Sequence, residues 1–153
     1  MWGDLHEMKE IELQLDTAVN PGSANRVLRS LGFALHYDIY SYDSPGPNNW
    51  QSESLLYVSL FLDTEEVDAQ SRFDRIVFHY PFATRASSDQ PIALDLVESV
   101  AKETGADILY NGSRYIREAT QSDWDECAAF LLREWGEEPG SLELRRMIEE
   151  NGR

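Results

Sequence analysis

The chain has 153 residues, a formal net charge of −15 at pH 7 and a hydrophobic share of 42%. This length matches a single domain, and the hydrophobic share excludes an intrinsically disordered chain. The acidic surplus excludes nucleic acid and anionic membranes as expected partners and favours a basic protein. We therefore predict one domain over residues 1–153.

The acidic residues are concentrated towards the two ends of the chain. Residues 1–70 contain 12 acidic and 3 basic side chains, whereas residues 71–117 contain 6 of each and residues 118–153 contain 10 and 4. Arginines in the middle segment can pair with the chain's own carboxylates, so they do not require a phosphate ligand. These arginines are Arg72, Arg75, Arg85, Arg114 and Arg117.

The expected compartment is the cytoplasm. The first seven residues lack the basic start and the apolar run of a secretory signal. Cys127 is the only cysteine, so no internal disulfide can form, and a reducing environment is the simplest setting.

The first third of the chain predicts strand, helix and strand. Lys9–Thr17 alternates apolar and acidic residues, which indicates a strand with one solvated face. Residues 20–31 have the spacing of an amphipathic helix, and Gly32 is suited to end it. Phe33–Tyr42 alternates again and predicts one continuous strand.

The centre of the fold is predicted at Leu55–Leu62, which is apolar on both faces. Strands of this kind lie inside a sheet that is covered on each side. The second face of this strand can be covered either by the chain's own helices or by a partner. The preceding loop, Ser41–Ser54, is long enough to be a functional loop.

The next part of the chain predicts a short helical turn, a strand, a loop, a helix and a hairpin. Thr64–Asp74 is expected to form a short helical turn, and Arg75–Phe82 a strand ended by its proline. Ala83–Gln90 has the composition of a loop, and Pro91–Thr104 that of an amphipathic helix. Asp107–Ile116 is a hairpin with an Asn-Gly turn.

The C-terminal part predicts two further helices. The first begins at Thr120, with Asp123 in the position of a capping-box partner, and ends before Gly136. The second begins after Ser141. The fold class is therefore α+β: a mainly antiparallel sheet with helices packed on it, an elaborated ferredoxin-like two-layer sandwich plus a C-terminal helix pair. That pair can cover the second face of the central strand or extend an edge of the sheet.

The sequence contains no motif for a phosphate cradle, a nucleophile elbow or a zinc protease. We therefore expect no catalytic residue, no metal and no cofactor, and a protein that is not an enzyme. The alternative is a small enzyme or ligand-binding domain. Its pocket would use His36, Asp38 and His79, or Arg114 and Arg117.

A binding function has better support in the first long loop and its flanks, where aromatic residues and carboxylates occur together. Rings supply buried contact area, and carboxylates attract a basic partner. The competing interpretation is that the tyrosines are half-buried sheet residues and that the tryptophan packs at the core edge. The predicted partner-binding residues are Asp38, Tyr40, Tyr42, Asp43, Trp50 and Glu53.

Residues 101–112, with the sequence AKETGADILYNG, form a predicted helix that ends in Thr-Gly before a short strand. This segment is similar to one in several families of bacterial toxin-immunity proteins, and the chain resembles them in being small, acidic and free of catalytic motifs. The resemblance implies inhibition by direct binding to a cognate toxin domain, with acidic side chains in a basic active site. It names no single family, transfers no functional residue and leaves both a monomer and a dimer open.

Overall fold

The computed structural model describes residues 8–19, 21–43 and 54–151. Within these ranges it contains one eight-stranded antiparallel sheet and four α-helices, which confirms the α+β prediction. The strands are β1 (Lys9–Val19), β2 (Ala34–His36), β3 (Ile39–Tyr42), β4 (Leu56–Leu62), β5 (Glu65–Val67), β6 (Phe73–Tyr80), β7 (Asp107–Tyr110) and β8 (Ser113–Arg114). The helices are α1 (Pro21–Ser30), α2 (Gln90–Thr104), α3 (Arg117–Trp135) and α4 (Leu142–Asn151).

The sheet has the strand order β2-β3-β4-β6-β1-β7-β8. Strand β4 lies inside it, as the two apolar faces of its sequence predict. The inner strands β4, β6, β1 and β7, connected through α1 and α2, have the βαββαβ arrangement of ferredoxin-like folds. Strands β3 and β5 pair with the same edge of β4, one after the other.

The hydrophobic core lies against one face of the sheet, which carries buried residues such as Leu13, Leu60 and Ile76. Helix α3 packs on this same face, because its Trp124 ring stacks on Tyr80 at a centroid distance of 4.8 Å. The side chains on the other face of β4, including that of Phe61, are partly exposed. Helix α3 therefore does not cover the second face of the central strand.

The prediction of one strand over Phe33–Tyr42 is wrong. The chain reverses direction at Tyr37 and Asp38, so β2 and β3 form an antiparallel hairpin in which His36 lies opposite Ile39. Tyr37 has a φ of 58°, a left-handed conformation that bulky residues seldom adopt. His36 and Asp38 consequently do not share a strand face.

Two other element predictions are also wrong. Residues 64–74 contain no helical turn; instead β5 turns back along β4 after Asp63, whose φ of 57° is tolerated by aspartate. Helix α3 begins at Arg117, before the expected Thr120. The side chain of Thr120 is buried and donates to the Ile116 carbonyl at 3.0 Å, so it is not the cap of a new helix.

The turn predictions that rest on glycine are confirmed. Asn111 and Gly112 have φ values of 52° and 76° between β7 and β8, as an Asn-Gly hairpin turn requires. Gly105 and Gly136 end α2 and α3 in the left-handed conformation, where a residue without a Cβ atom meets no steric penalty.

The segment predicted as a loop over Ala83–Gln90 contains a buried ion pair. Two short 3₁₀ helices, Phe82–Thr84 and Ser87–Asp89, place Arg85 against Asp89. The Arg85 Nη2 atom lies 2.8 Å from Asp89 Oδ2, and the two side chains are 0% and 1% exposed. This buried ion pair holds the start of α2 against the hydrophobic core.

Candidate partner-binding surface

Tyr40, one of the predicted partner-binding residues, belongs to the core. It is 2% exposed, and its hydroxyl donates to Asn25 Oδ1 of α1 at 2.6 Å. Burial raises the pKa of the Tyr40 phenol, and the positive charge of Arg29 partly offsets this rise. Tyr40 therefore has no free surface for a partner, and the interpretation as a sheet residue is correct for it.

The remaining predicted residues have different environments. Tyr42 is half-buried, with its ring 5.5 Å from that of Phe33. Asp43 is exposed and accepts a hydrogen bond from Ser54 Oγ at 2.6 Å. Asp38 is exposed in the β2–β3 turn. The other two, Trp50 and Glu53, lie outside the residues that the structure describes.

The β2–β3 turn presents apolar side chains that sequence reasoning did not select. Tyr37 is 99% exposed and Ile39 is 57% exposed, on either side of Asp38. The left-handed backbone of Tyr37 is strained, because bulky residues seldom adopt this conformation. Tyrosine is also among the residues that most often dominate binding energy at interfaces.

A group of exposed carboxylates lies on the β4–β5 hairpin: Asp63, Glu65, Glu66 and Asp68. None of them takes part in a salt bridge within the described ranges. A nearby arginine, Arg75, donates to the Asp63 backbone carbonyl rather than to a carboxylate. Among the described residues, these four carboxylates therefore make no ion pair, although the Arg75 guanidinium lies near the Asp63 backbone.

The turn and the hairpin lie side by side on the sheet edge. Tyr40 of β3 is opposite Val58, and Val67 of β5 is opposite Leu60, so the start of β3 meets the end of β5 on one side of β4. We call this combined surface the acidic edge. It consists of Tyr37, Asp38, Ile39, Asp63, Glu65, Glu66 and Asp68.

The alternative site with His36, Asp38 and His79 is not assembled. Two strands, β3 and β4, lie between β2 and β6, so His36 and His79 are three strand spacings, or about 14 Å, apart. Across residues 8–19, 21–43 and 54–151, no three histidine, cysteine, aspartate or glutamate side chains are grouped to hold a metal ion.

His79 instead contacts Ser59 and Glu10. Its Nε2 atom lies 3.0 Å from Ser59 Oγ, and its Nδ1 atom lies 3.3 Å from Glu10 Oε2. The order serine, histidine, carboxylate resembles a catalytic triad. Nucleophilic catalysis by a triad also needs hydrogen-bond donors for the developing oxyanion. What the structure shows is that Ser59 and Glu10 hold the imidazole ring of His79 between them.

The two arginines of the other alternative site, Arg114 and Arg117, have different environments. Arg117, at the start of α3, donates to Asp95 Oδ1 at 2.5 Å and to Glu98 Oε2 at 3.2 Å. The hydrogen bond to Asp95 raises the pKa of the Arg117 guanidinium. Arg114 is exposed on β8 opposite Leu109. The expectation that arginines pair with the chain's own carboxylates is therefore met by Arg117.

No protein-family model matches this sequence, and no curated protein is significantly similar to it. Among the described helices, none has the length and apolar character needed to cross a membrane. The resemblance to toxin-immunity proteins stays a prediction, and the acidic edge is the feature from which a function can be inferred.

Proposed function

We propose that this protein is an acidic inhibitor that binds a basic protein partner, and that it acts as an immunity protein neutralising a cognate bacterial toxin. The acidic edge carries the proposal, because the turn with the fully exposed Tyr37 and the hairpin with four exposed carboxylates lie on the same side of β4. These carboxylates make no salt bridge with any described residue. Elsewhere, arginines such as Arg117 and Arg145 neutralise neighbouring carboxylates.

The two components of the acidic edge have separate roles in binding. The carboxylates attract a basic partner over several ångströms and raise the rate of encounter. Tyr37 buries its ring in the partner and slows dissociation, as aromatic anchors do at interface centres. Carboxylates inserted into a basic active site also exclude an anionic substrate, so binding and inhibition follow from the same contacts.

The first test compares proteins captured from a lysate of the source organism by three immobilised forms of the chain. The edge variant carries Asp38→Lys, Glu65→Lys and Glu66→Lys. The control variant carries Glu103→Lys, Glu118→Lys and Glu138→Lys, at acidic residues that are also exposed but do not belong to the acidic edge. Both variants change the net charge equally, so a difference between them reports the location of the charge.

We expect a basic protein that the wild type and the control variant retain and the edge variant loses. Expression of this protein alone should arrest growth, and co-expression with the wild-type chain should restore it. Capture of the same proteins by all three forms, or of an acidic protein with no toxicity, would contradict the proposed function.

Substitution of Tyr37 by glycine should separate stability from binding. Glycine relieves the left-handed strain, so the free energy of unfolding should rise by about 1 kcal/mol. Loss of the ring should weaken binding of the captured partner at least about tenfold, mainly through faster dissociation. Leu142→Ala, at a site 73% exposed on α4, is the control and should leave affinity unchanged. Unchanged affinity in Tyr37→Gly would remove Tyr37 from the interface.

A further inference from the structure

The second face of the sheet contains a concavity of about 380 Å³ that adjoins the acidic edge. Its lining includes Phe61, Val77 and Leu109 from three different strands, together with Glu10 and Glu12 of β1. Val77 lies opposite Glu12, and Glu12 lies opposite Leu109, so the apolar and acidic groups alternate across neighbouring strands. None of the residues that line the concavity belongs to a helix. Glu10 is exposed, Phe61, Leu109 and Glu12 are partly exposed, and Val77 is 8% exposed.

The carboxylates of Glu10 and Glu12 can each accept further hydrogen bonds. Glu12 Oε2 accepts a hydrogen bond from Gln14 Nε2 at 2.8 Å, and Glu10 Oε2 lies 3.3 Å from His79 Nδ1. A carboxylate has about four lone-pair positions, so each group can accept further donors. Glu10 and Glu12 occupy successive same-face positions on one strand, with backbones about 7 Å apart.

The two arginines nearest this face do not occupy the concavity. Arg75 donates to the Asp63 carbonyl at the hairpin. Arg114 lines a neighbouring depression with Gln14 and Asp107, which shares Leu109 with the concavity. The concavity therefore combines an apolar floor with two carboxylates and contains no cation of its own among its lining residues.

We infer that this concavity receives an arginine or lysine side chain of the basic partner, so this inference rests on the proposed function. The aliphatic part of such a side chain packs on Phe61, Val77 and Leu109, and its charged end donates to Glu10 and Glu12. Arginine is favoured over lysine because its five donors can reach both carboxylates at once.

Continuity with the acidic edge identifies the occupant as part of the same partner. Phe61 of the concavity pairs directly with Glu66 of the hairpin, so one protein can cover both. A stable complex buries about 800 Å² on each partner, which is more than a turn and a three-residue strand provide. The second face of the sheet supplies the additional contact area. A partner bound there would also cover the apolar side chains on the second face of β4.

The test uses n-butylguanidinium, which reproduces the stem and the charge of arginine, and follows backbone amide resonances of the isotope-labelled wild-type chain. We expect progressive shifts at Glu12, Val77 and Leu109. Guanidinium lacks the stem and n-butanol lacks the charge, so each should bind at least several-fold more weakly. Glu12→Gln should weaken n-butylguanidinium binding about tenfold, the effect of one lost charge-assisted hydrogen bond.

Glu10→Gln provides a second variant with the same expected direction, and an unchanged amide spectrum shows that each variant is folded. Equal shifts from n-butylguanidinium and n-butanol, shifts confined to other regions, or wild-type affinity in both variants would overturn this inference. The titration contains no partner protein, and the capture experiment alters neither Glu10 nor Glu12. A failure of this inference can therefore be distinguished from a failure of the proposed function.

Discussion

Replacement of Asp89 by asparagine is expected to lower the free energy of unfolding by about 3–5 kcal/mol. Asparagine has nearly the same shape, but it removes the negative charge opposite Arg85, whose side chain is fully buried. A buried charge that loses its counter-charge has given up its hydration without compensation. Urea unfolding monitored by tryptophan fluorescence measures the change.

The matched control for this substitution is Glu149→Gln. Glu149 and Arg145 are also four residues apart, with Arg145 Nε 3.0 Å from Glu149 Oε1, but both side chains are more than a third exposed. This change should cost at most about 0.5 kcal/mol. A double variant, Arg85→Met with Asp89→Leu, should be less destabilised than Asp89→Asn. Similar costs for Asp89→Asn and Glu149→Gln would show that the Arg85–Asp89 pair is hydrated.

Replacement of Trp124 by alanine is expected to cost about 3–5 kcal/mol, the usual range for a buried large aromatic side chain. Trp124 is 0% exposed, stacks on Tyr80 and donates its indole N–H to the Tyr110 hydroxyl at 3.0 Å. Its removal leaves a cavity between α3 and the sheet and breaks this hydrogen bond. Thermal unfolding and urea unfolding should both record the loss.

Leu132→Ala is the control for Trp124→Ala, because Leu132 lies on the same helix and is 51% exposed. Its effect should stay within about 0.5 kcal/mol. A cost below about 1 kcal/mol for Trp124→Ala would mean that α3 does not contribute to the core, and the placement of this helix on the sheet would be wrong.

The regular elements were predictable from sequence because burial imposes a period on them. Alternation in Lys9–Thr17, the doubly apolar run at Leu55–Leu62 and the helical spacing of Pro91–Thr104 all correspond to observed strands and helices. The apolar stripe of α3 was also predictable from Trp124 and Leu131, which are both buried.

The acidic edge was predictable only in part, because the β2–β3 hairpin was predicted as one continuous strand. Asp38 and Tyr40 were both predicted to bind a partner, but only Asp38 is exposed and Tyr40 is buried. A two-residue reversal at Tyr37 and Asp38 places Leu35 opposite Tyr40, and both then face the core. Neither glycine nor asparagine marks this reversal, and Asp38 alone, although aspartate is common in turns, was too weak a signal.

The Arg85–Asp89 pair was missed for a different reason. Polar and small residues around it have loop composition, and composition does not distinguish an exposed loop from one that folds back into the core. The sequence did contain one sign of an ion pair, an arginine followed four residues later by an aspartate. The same spacing occurs in exposed pairs such as Arg145–Glu149. Only tertiary packing separates the two cases.

The salt dependence of association is the most direct measurement of the central claim, that the acidic edge binds a basic partner. Stopped-flow mixing with the captured partner should show an association rate that falls on the order of tenfold between 0.05 M and 0.5 M salt, because counterions screen the carboxylates. The edge variant should associate slowly at both concentrations, and the control variant should behave almost like the wild type. An association rate independent of salt, or equal losses in the two variants, would contradict the claim.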